Sequence, residues 1–302
     1  MKHTSTRYKI FRVFNVLFML VIIVITLFPY LHVLAKSLNE GIDASRGGIT
    51  IFPRVFTWDN YKTVLGDKNI FNAATITIAR VVIGTLLSLI VQYCAAYVMA
   101  KKDFIGKTVL LLFLIIPNFI NAGLIPTFML YHRLGLINNF LVYILPGLFS
   151  FYNMIIIRTY IKSTIPDSLE ESAKMDGANE ITVLLRIFLP LSKPILATVS
   201  LWVAVGLWND WITTLYYVTR NRLFTLQYML MRVIRESEAV LNMIAEAVKE
   251  GRDMNDLQQQ IKTTPESLIS AQIIITSVPI ILVYPFFQKY FVKGVMIGAI
   301  KG

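Results

Sequence analysis

Gly106-Lys107-Thr108 has the ending of a phosphate-binding loop, in which backbone N–H groups cradle a nucleotide and a lysine reaches its outer phosphates. That loop also requires a glycine five residues before Gly106, where Lys101 stands, and a buried strand ahead of it. Nucleotide binding by this chain is therefore not expected. Cys94 is the only cysteine and lies in an apolar run, so neither a disulfide framework nor a thiolate metal site can be built from it. His3, His32 and His132 fall in a tail, a span end and a loop, which argues against a histidine metal centre. No nucleophile stands in a recognisable arrangement with a base, and an enzyme is not expected. What remains are polar groups set among apolar ones. Trp208-Asn209-Asp210-Trp211 places amide and carboxylate groups beside aromatic faces, a combination suited to a polyhydroxylated ligand through stacking and hydrogen bonds. Trp202, Trp208, Trp211, Tyr216 and Tyr217 equally suit an aromatic belt at a membrane interface. Gln92, Asn118, Asn121 and Asn153 fit either hydrogen bonds between helices or the lining of a translocation path. Arg80 is expected to reach the outer interface, because Val81–Ala100 is long enough to span without it.

The elements that must position these groups are membrane helices. The chain is 56% hydrophobic with a mean hydropathy of +0.62, above the usage of soluble domains. Apolar runs at 11–34, 71–100, 109–130, 140–161, 195–217 and 269–292 each reach the roughly 20 residues needed to cross the hydrocarbon core. The first is too long for a signal-peptide core and lacks a small-residue cleavage site, so it reads as a retained span. Pro117 and Pro126 predict a kink or break in the third run. Gly294 and Gly298 follow the last run and read as tail packing. Lys2, Arg7, Lys9 and Arg12 precede span one, and Lys101, Lys102 and Lys107 crowd the link after span two. This bias puts both termini in the cytoplasm, and membrane topology accounts for the net charge of +11 without nucleic acid. No internal repeat appears, and residues 1–302 read as one membrane domain.

The loops carry their own punctuation. In 165–193, Pro166-Asp167-Ser168 opens a short helix with acids at 167, 170 and 171 on its positive end. Gly177 stands where a left-handed residue would close that helix. Asn179 caps a second one running to Leu189, which Pro190 and Pro194 would end. A polar helix–turn–helix between two spans is a handle for a partner protein. On the other side, Thr57 or Asp59 caps a helix near Tyr61. In the outer loop 216–268, helical spacing runs from Leu226 to Val248 with Gly251 as a stop, and a shorter piece covers Met254 to Ile261. Thr264-Pro265-Glu266 then opens span six. That loop reads as a lid or as a docking surface.

Glu171-Ser172-Ala173, then Gly177, then Ile187, Leu189 and Pro190, resembles the EAA loop of ABC-importer permeases at its own spacing, with serine for the first alanine. Ala95-Ala96-Tyr97, Gly135-Leu136-Ile137-Asn138-Asn139, Ile165-Pro166-Asp167-Ser168-Leu169 and Trp208-Asn209-Asp210-Trp211 with Thr225-Leu226-Gln227 are similar to other stretches of the maltose-type, carbohydrate-uptake branch. So is the tail Gln288-Lys289-Tyr290-Phe291-Val292-Lys293-Gly294. The resemblance implies an all-α polytopic fold of ABC type I importer permeases, with six transmembrane helices and a cytoplasmic EAA coupling helix between helices four and five. It implies a non-catalytic permease in a bacterial cytoplasmic membrane that imports carbohydrate, with an oligosaccharide as the expected cargo. Its partners would be a second homologous permease, two ATPase subunits that bind the ATP and Mg, and an extracellular or periplasmic solute-binding protein touching 216–268. No cofactor is expected in this chain. Glu171, Ser172, Ala173, Asp176, Gly177 and Ala178 would couple to the ATPase, and Asn118, Asn121, Asn153, Trp208, Asn209, Asp210 and Trp211 are candidates for the sugar path. A secondary transporter or channel is the competing class, but it would more often show paired intramembrane acids or inverted repeats. An importer of amino acids, peptides or ions keeps the architecture and changes the cargo.

Overall fold

The computed structural model describes residues 6–120, 122–236 and 264–299, and the described residues are helices and turns joined by one isolated antiparallel bridge, Asn39 with Phe56. In chain order the helices are α1 (Thr6–Ser37), α2 (Gly41–Ser45), α3 (Asp59–Gly66), α4 (Lys68–Ala100), α5 (Lys107–Ile115), α6 (Leu124–Arg133) and α7 (Phe151–Thr164). There follow α8 (Asp167–Met175), α9 (Glu180–Val183), α10 (Leu189–Leu191), α11 (Lys193–Asn209) and α12 (Ile212–Tyr217). Last come α13 (226–236) and α14 (Pro265–Ala299). The remainder of the expected outer-loop helix, 237–248, lies outside the described residues, as do Gly251, the expected piece 254–261, and Asn121.

Among the described residues, three helices, α1, α4 and α14, are long and apolar enough to cross a membrane unbroken. The runs expected as spans three, four and five are each broken instead. In the third, Pro117 sits in a 3₁₀ turn (Ile116–Phe119), and the segments on either side diverge by 116°. Pro126 is not a second break, because it falls in the first turn of α6, where a missing N–H costs nothing. In the fourth, 3₁₀ turns around Pro146 replace α-helix before α7 starts, with a bend of 48°. In the fifth, α11 stops at Asn209 and α12 resumes at Ile212, and α11 is itself bent by 78° from the segment Glu180–Leu191 that precedes it. Among the described residues, counting each bent pair as one span, with Glu180–Leu191 and Lys193–Asn209 as the last pair, gives up to six by length and composition. Prolines inside α1 (Pro29) and α14 (Pro279, Pro285) leave those helices continuous. α14 also runs on through Gly294 and Gly298, so these glycines belong to the helix and not to a tail.

Contacts divide the chain into two units, residues 1–70 with 230–278, and residues 71–229 with 279–302. In the first unit, α1 is exposed on every side from Arg7 to Pro29, as expected of a helix apolar all round and meant for lipid. The segment after it is held by two buried amides. Asn39 accepts from the N–H groups of Arg54 (2.7 Å) and Val55 (2.9 Å). Asn60 donates to the carbonyls of Ser37 (3.0 Å) and Asn39 (2.8 Å) and accepts from Ser267 at the start of α14 (2.9 Å). The expected caps are present in modified form. The Thr57 hydroxyl accepts from the N–H of Asp59, and the Thr264 carbonyl accepts from Ser267 and Leu268.

The second unit has a core drawn from α4, α7, α9 and α11. Tyr93, Ala96 and Tyr97 of α4 meet Met154, Ile157 and Ile161 of α7, with Val183, Phe188 and Val199 closing the cluster. This core lies directly behind the 165–193 loop.

Candidate functional site

α8 begins where Pro166 fixes an extended backbone, and Asp167 and Glu170 occupy its first turn, favourable to the helix dipole. It ends in a Schellman motif. Gly177 has φ +81°, its N–H donates to Lys174 O (3.0 Å), and the Ala178 N–H reaches back to Ala173 O (2.9 Å). Asn179 then accepts from the Thr182 N–H (2.8 Å) and starts α9. The helix expected to continue to Leu189 does so only after changing its winding. Leu184–Phe188 forms a π turn, and Pro190 lies within α10 and not beyond a helix end. Proline cannot donate to the carbonyl four residues earlier and its ring presses on it, so widening the preceding turn relieves the clash.

Helical spacing sorts the α8 side chains into two faces. Ser168, Glu171, Ser172 and Met175 are exposed, at the i, i+3, i+4, i+7 positions of one face. Met175 is 89% exposed, and the neighbouring Ile181 and Leu185 are also exposed. Ala173 and Ala178 turn inward and pack on the core of α4, α7 and α11. Small side chains are needed there because the loop lies directly on the bundle. Ser172 faces outward, so serine in place of alanine costs no packing. Asp176 and Gly177 are exposed at the turn.

A cluster of charges binds this loop to the end of α4; the sequence places Asp167 and Glu170 at a helix start and Lys101 and Lys102 at a membrane face, without showing that they pair. Lys101 pairs with Glu170 and with Glu180 (2.9 Å), and its ammonium lies 4.3 Å from the Tyr97 ring centroid and 5.6 Å from that of Phe188. Lys174 bridges the same acids, at 2.8 Å from each. The Tyr97 hydroxyl donates to Glu180 (2.7 Å). Lys102 pairs with Asp167 at the surface. These groups line a cleft of about 660 Å³. Hydrogen bonds from Lys174, Lys101 and Tyr97 hold the Glu180 carboxyl down to about 2. Glu170 and then Glu180 raise the Lys174 ammonium above the usual lysine value. The pair at 170 and 174 has the i,i+4 spacing that the sequence displays. Lys101 to Glu180 joins residues far apart in the chain, and no local pattern signals it.

The second place singled out, at 208–211, is organised by a residue assigned elsewhere. Arg80 does not reach an interface. It is 1% exposed, forms an ion pair with Asp210, donates to the Asp210 carbonyl (2.9 Å) and lies 4.8 Å from the Tyr143 ring centroid. Burial is tolerated because the pairing is two-pronged and aromatic-backed. Asp210 sits at the break between α11 and α12, and its other carboxylate oxygen accepts from the Thr213 N–H (3.1 Å). Trp208 and Trp211 are half-buried and Asn209 is exposed. Asn118 is turned back onto its own helix, donating to Leu114 O (3.1 Å). Asn153 is half-buried near the start of α7. Gln92 is buried and donates to Ser88. None of these lines the cleft at the loop.

Comparison with known proteins agrees with this geometry. Residues 84–297 match the family described as binding-protein-dependent transport system inner membrane component. Protein LplC of Bacillus subtilis (strain 168) is 35% identical over 300 residues, covering 99% of this chain and 98% of LplC. The polygalacturonan/rhamnogalacturonan transport system permease protein YtcP of the same organism is 31% identical, over 96% of this chain and 99% of YtcP. Among solved structures, a chain of a bacterial ABC transporter involved in the import of the acidic polysaccharide alginate superposes with a TM-score of 0.83. It is 27% identical and covers 96% of this chain and 100% of that one.

Proposed function

The chain belongs to the family of binding-protein-dependent transport system inner membrane components, and from that membership we propose that it is a non-catalytic half of a carbohydrate importer. Family membership makes it a multi-pass membrane permease with six helices, working with an ATPase and a binding protein. Beyond that, a second homologous permease completes the pathway, and two ATPase subunits supply bound ATP and Mg, which this chain does not hold. Residues 1–302 act as one permease with both termini in the cytoplasm, in keeping with Arg7, Lys9 and Arg12 in the first turns of α1 and Lys101 and Lys102 after α4.

The observation that carries the reading is the two-faced loop. Ala173 and Ala178 seat it on the bundle core while Glu171, Ser172, Met175, Asp176 and Gly177 stand outside. An exposed methionine on a short, rigidly capped helix suits a groove on a partner. ATP-driven closure of the two ATPases would draw the paired loops together and rock the helices between inward-open and outward-open states. The binding protein would deliver sugar on the opposite side, against surfaces that include 216–268.

The cargo is proposed as an oligosaccharide, on the strength of the substrates in the names of YtcP and of the alginate importer. Trp208, Asn209, Trp211, Asn118, Asn121 and Asn153 remain candidates for its path, and Asp210 serves mainly as the partner of Arg80. The test is uptake of fluorescent oligogalacturonides and neutral galacto-oligosaccharides in cells with and without this chain. Loss of uptake of one class on deletion is expected. Unchanged uptake of both, with loss of an amino acid or peptide, would overturn the cargo assignment.

A further inference from the structure

We propose that Lys101 is a positioning residue for coupling, the pivot of an ionic clamp that fixes the orientation of α8 against the end of α4. The proposal rests on the reading of α8 as the ATPase-docking helix and deepens it. Glu170 and Glu171 are adjacent, yet they do different work. Glu170, whose side chain is 17% exposed, points inward to Lys101 and Lys174, while Glu171 faces out with Ser172 and Met175. One acid anchors the helix, and the other is left for the partner.

Among the described residues, Lys101 is the one cation in contact with both acids, Tyr97 and Phe188, so it joins α4, α8, α9 and the π turn at a single point. Its side chain is 19% exposed, and its neighbourhood is braced from below. Lys107 donates to the Lys101 carbonyl (2.8 Å), and Arg158 of α7 donates to the Met99 carbonyl (2.9 Å). Ala173, with Ala178 just past the helix end, seats α8 through small apolar contacts, and the Lys102–Asp167 pair holds only its first turn, so these alone do little to stop it rolling about its own axis. Two charge pairs and two ring contacts converging on one ammonium set that roll. A push on α8 is thereby delivered to the end of the long helix α4 and not dissipated in the loop.

The test uses the full chain in nanodiscs, alone and with the permease and ATPase that copurify with it. A nitroxide is placed on Met175→Cys in a Cys94→Ser background. Lys101→Gln is expected to change the label from one ordered component to a mixture with a mobile one, with the chain alone. In the assembled complex, kcat for ATP hydrolysis should fall about tenfold, the effect of losing one partly buried charge-assisted contact, with KM for ATP within about twofold of wild type. Lys101→Arg should restore both readouts. Glu180→Gln should give a smaller change in the same direction, and it serves in place of Lys101→Gln if that variant does not fold. An unchanged label spectrum and unchanged hydrolysis in both Gln variants would overturn the clamp. If the unsubstituted chain brings down no ATPase, the docking reading fails instead, while the label spectra still decide whether the clamp exists.

Discussion

Replacing Gly177 by alanine and by proline separates two contributions that the structure assigns to this residue. Its φ of +81° is the left-handed value that closes α8, and a Cβ added there would meet nothing within 4 Å. Alanine therefore introduces backbone strain and no clash, a cost of roughly 1–2 kcal/mol. A penalty of that size depletes the closed loop by at most about five- to thirtyfold, and less if the loop is stable to begin with. Proline is different in kind. Its ring holds φ near about −65°, so the left-handed closure is unreachable, and it has no N–H to give to Lys174 O. The Schellman pair then collapses, and the outward face of α8 loses its fixed relation to Asn179 and α9. The assay is ATP hydrolysis by the complex in nanodiscs, together with the amount of ATPase retained by the tagged chain. Alanine should reduce both moderately, and proline should abolish both while the chain stays folded, since Gly177 is exposed and outside the core. A proline variant that retains ATPase and hydrolyses ATP at the wild-type rate would refute the assignment of Gly177 as the turn of a docking helix.

Arg80→Met leaves Asp210 without its countercharge and should cost about 3 kcal/mol, the low end for a broken buried pair because Asp210 is partly exposed. Most of that loss should return in the Arg80→Met, Asp210→Asn double variant, measured by thermal unfolding in detergent, and strict additivity would contradict the pairing. Glu180 gives a pH signature. Its folded carboxyl, held at about 2 against an ordinary 4.5, stabilises fully above pH 4.5 and loses that contribution as pH falls toward 2. The melting-temperature gap between wild type and Glu180→Gln should be constant from neutral pH down to about pH 5 and narrow below it; a gap that widens on acidification would contradict the network.

The parts of the site legible in the sequence were those that a short window encodes. Gly177, Asn179 and Pro166 each act on backbone groups within a few residues, and each does in the structure what its type and place suggest. The Thr264 hydroxyl instead donates to the Gly41 carbonyl and leaves the N–H groups at the helix start to the Thr264 carbonyl. The number of apolar runs was equally plain, because crossing lipid requires length that no loop supplies. Their continuity was not. Pro29, Pro279 and Pro285 sit within unbroken helices while Pro117 marks a break, so proline alone does not decide whether a span bends. The pairings Arg80–Asp210 and Lys101–Glu180 join distant parts of the chain and were beyond any periodicity argument. Lys101 was legible as a charge near a membrane surface and illegible as a pivot. Arg80 was read from the length of the span beside it, which says where an arginine can reach and nothing of what attracts it inward.

The measurement that tests the central claim most directly is affinity purification of the tagged chain in mild detergent, with mass spectrometry of what copurifies and an ATPase assay of the eluate. The account predicts a second multi-span permease and an ATPase in the eluate, with ATP hydrolysis that falls when Glu171 and Met175 are both replaced by alanine. A folded, monodisperse chain recovered alone, with no associated ATP hydrolysis, would contradict it and favour transport that does not use ATP.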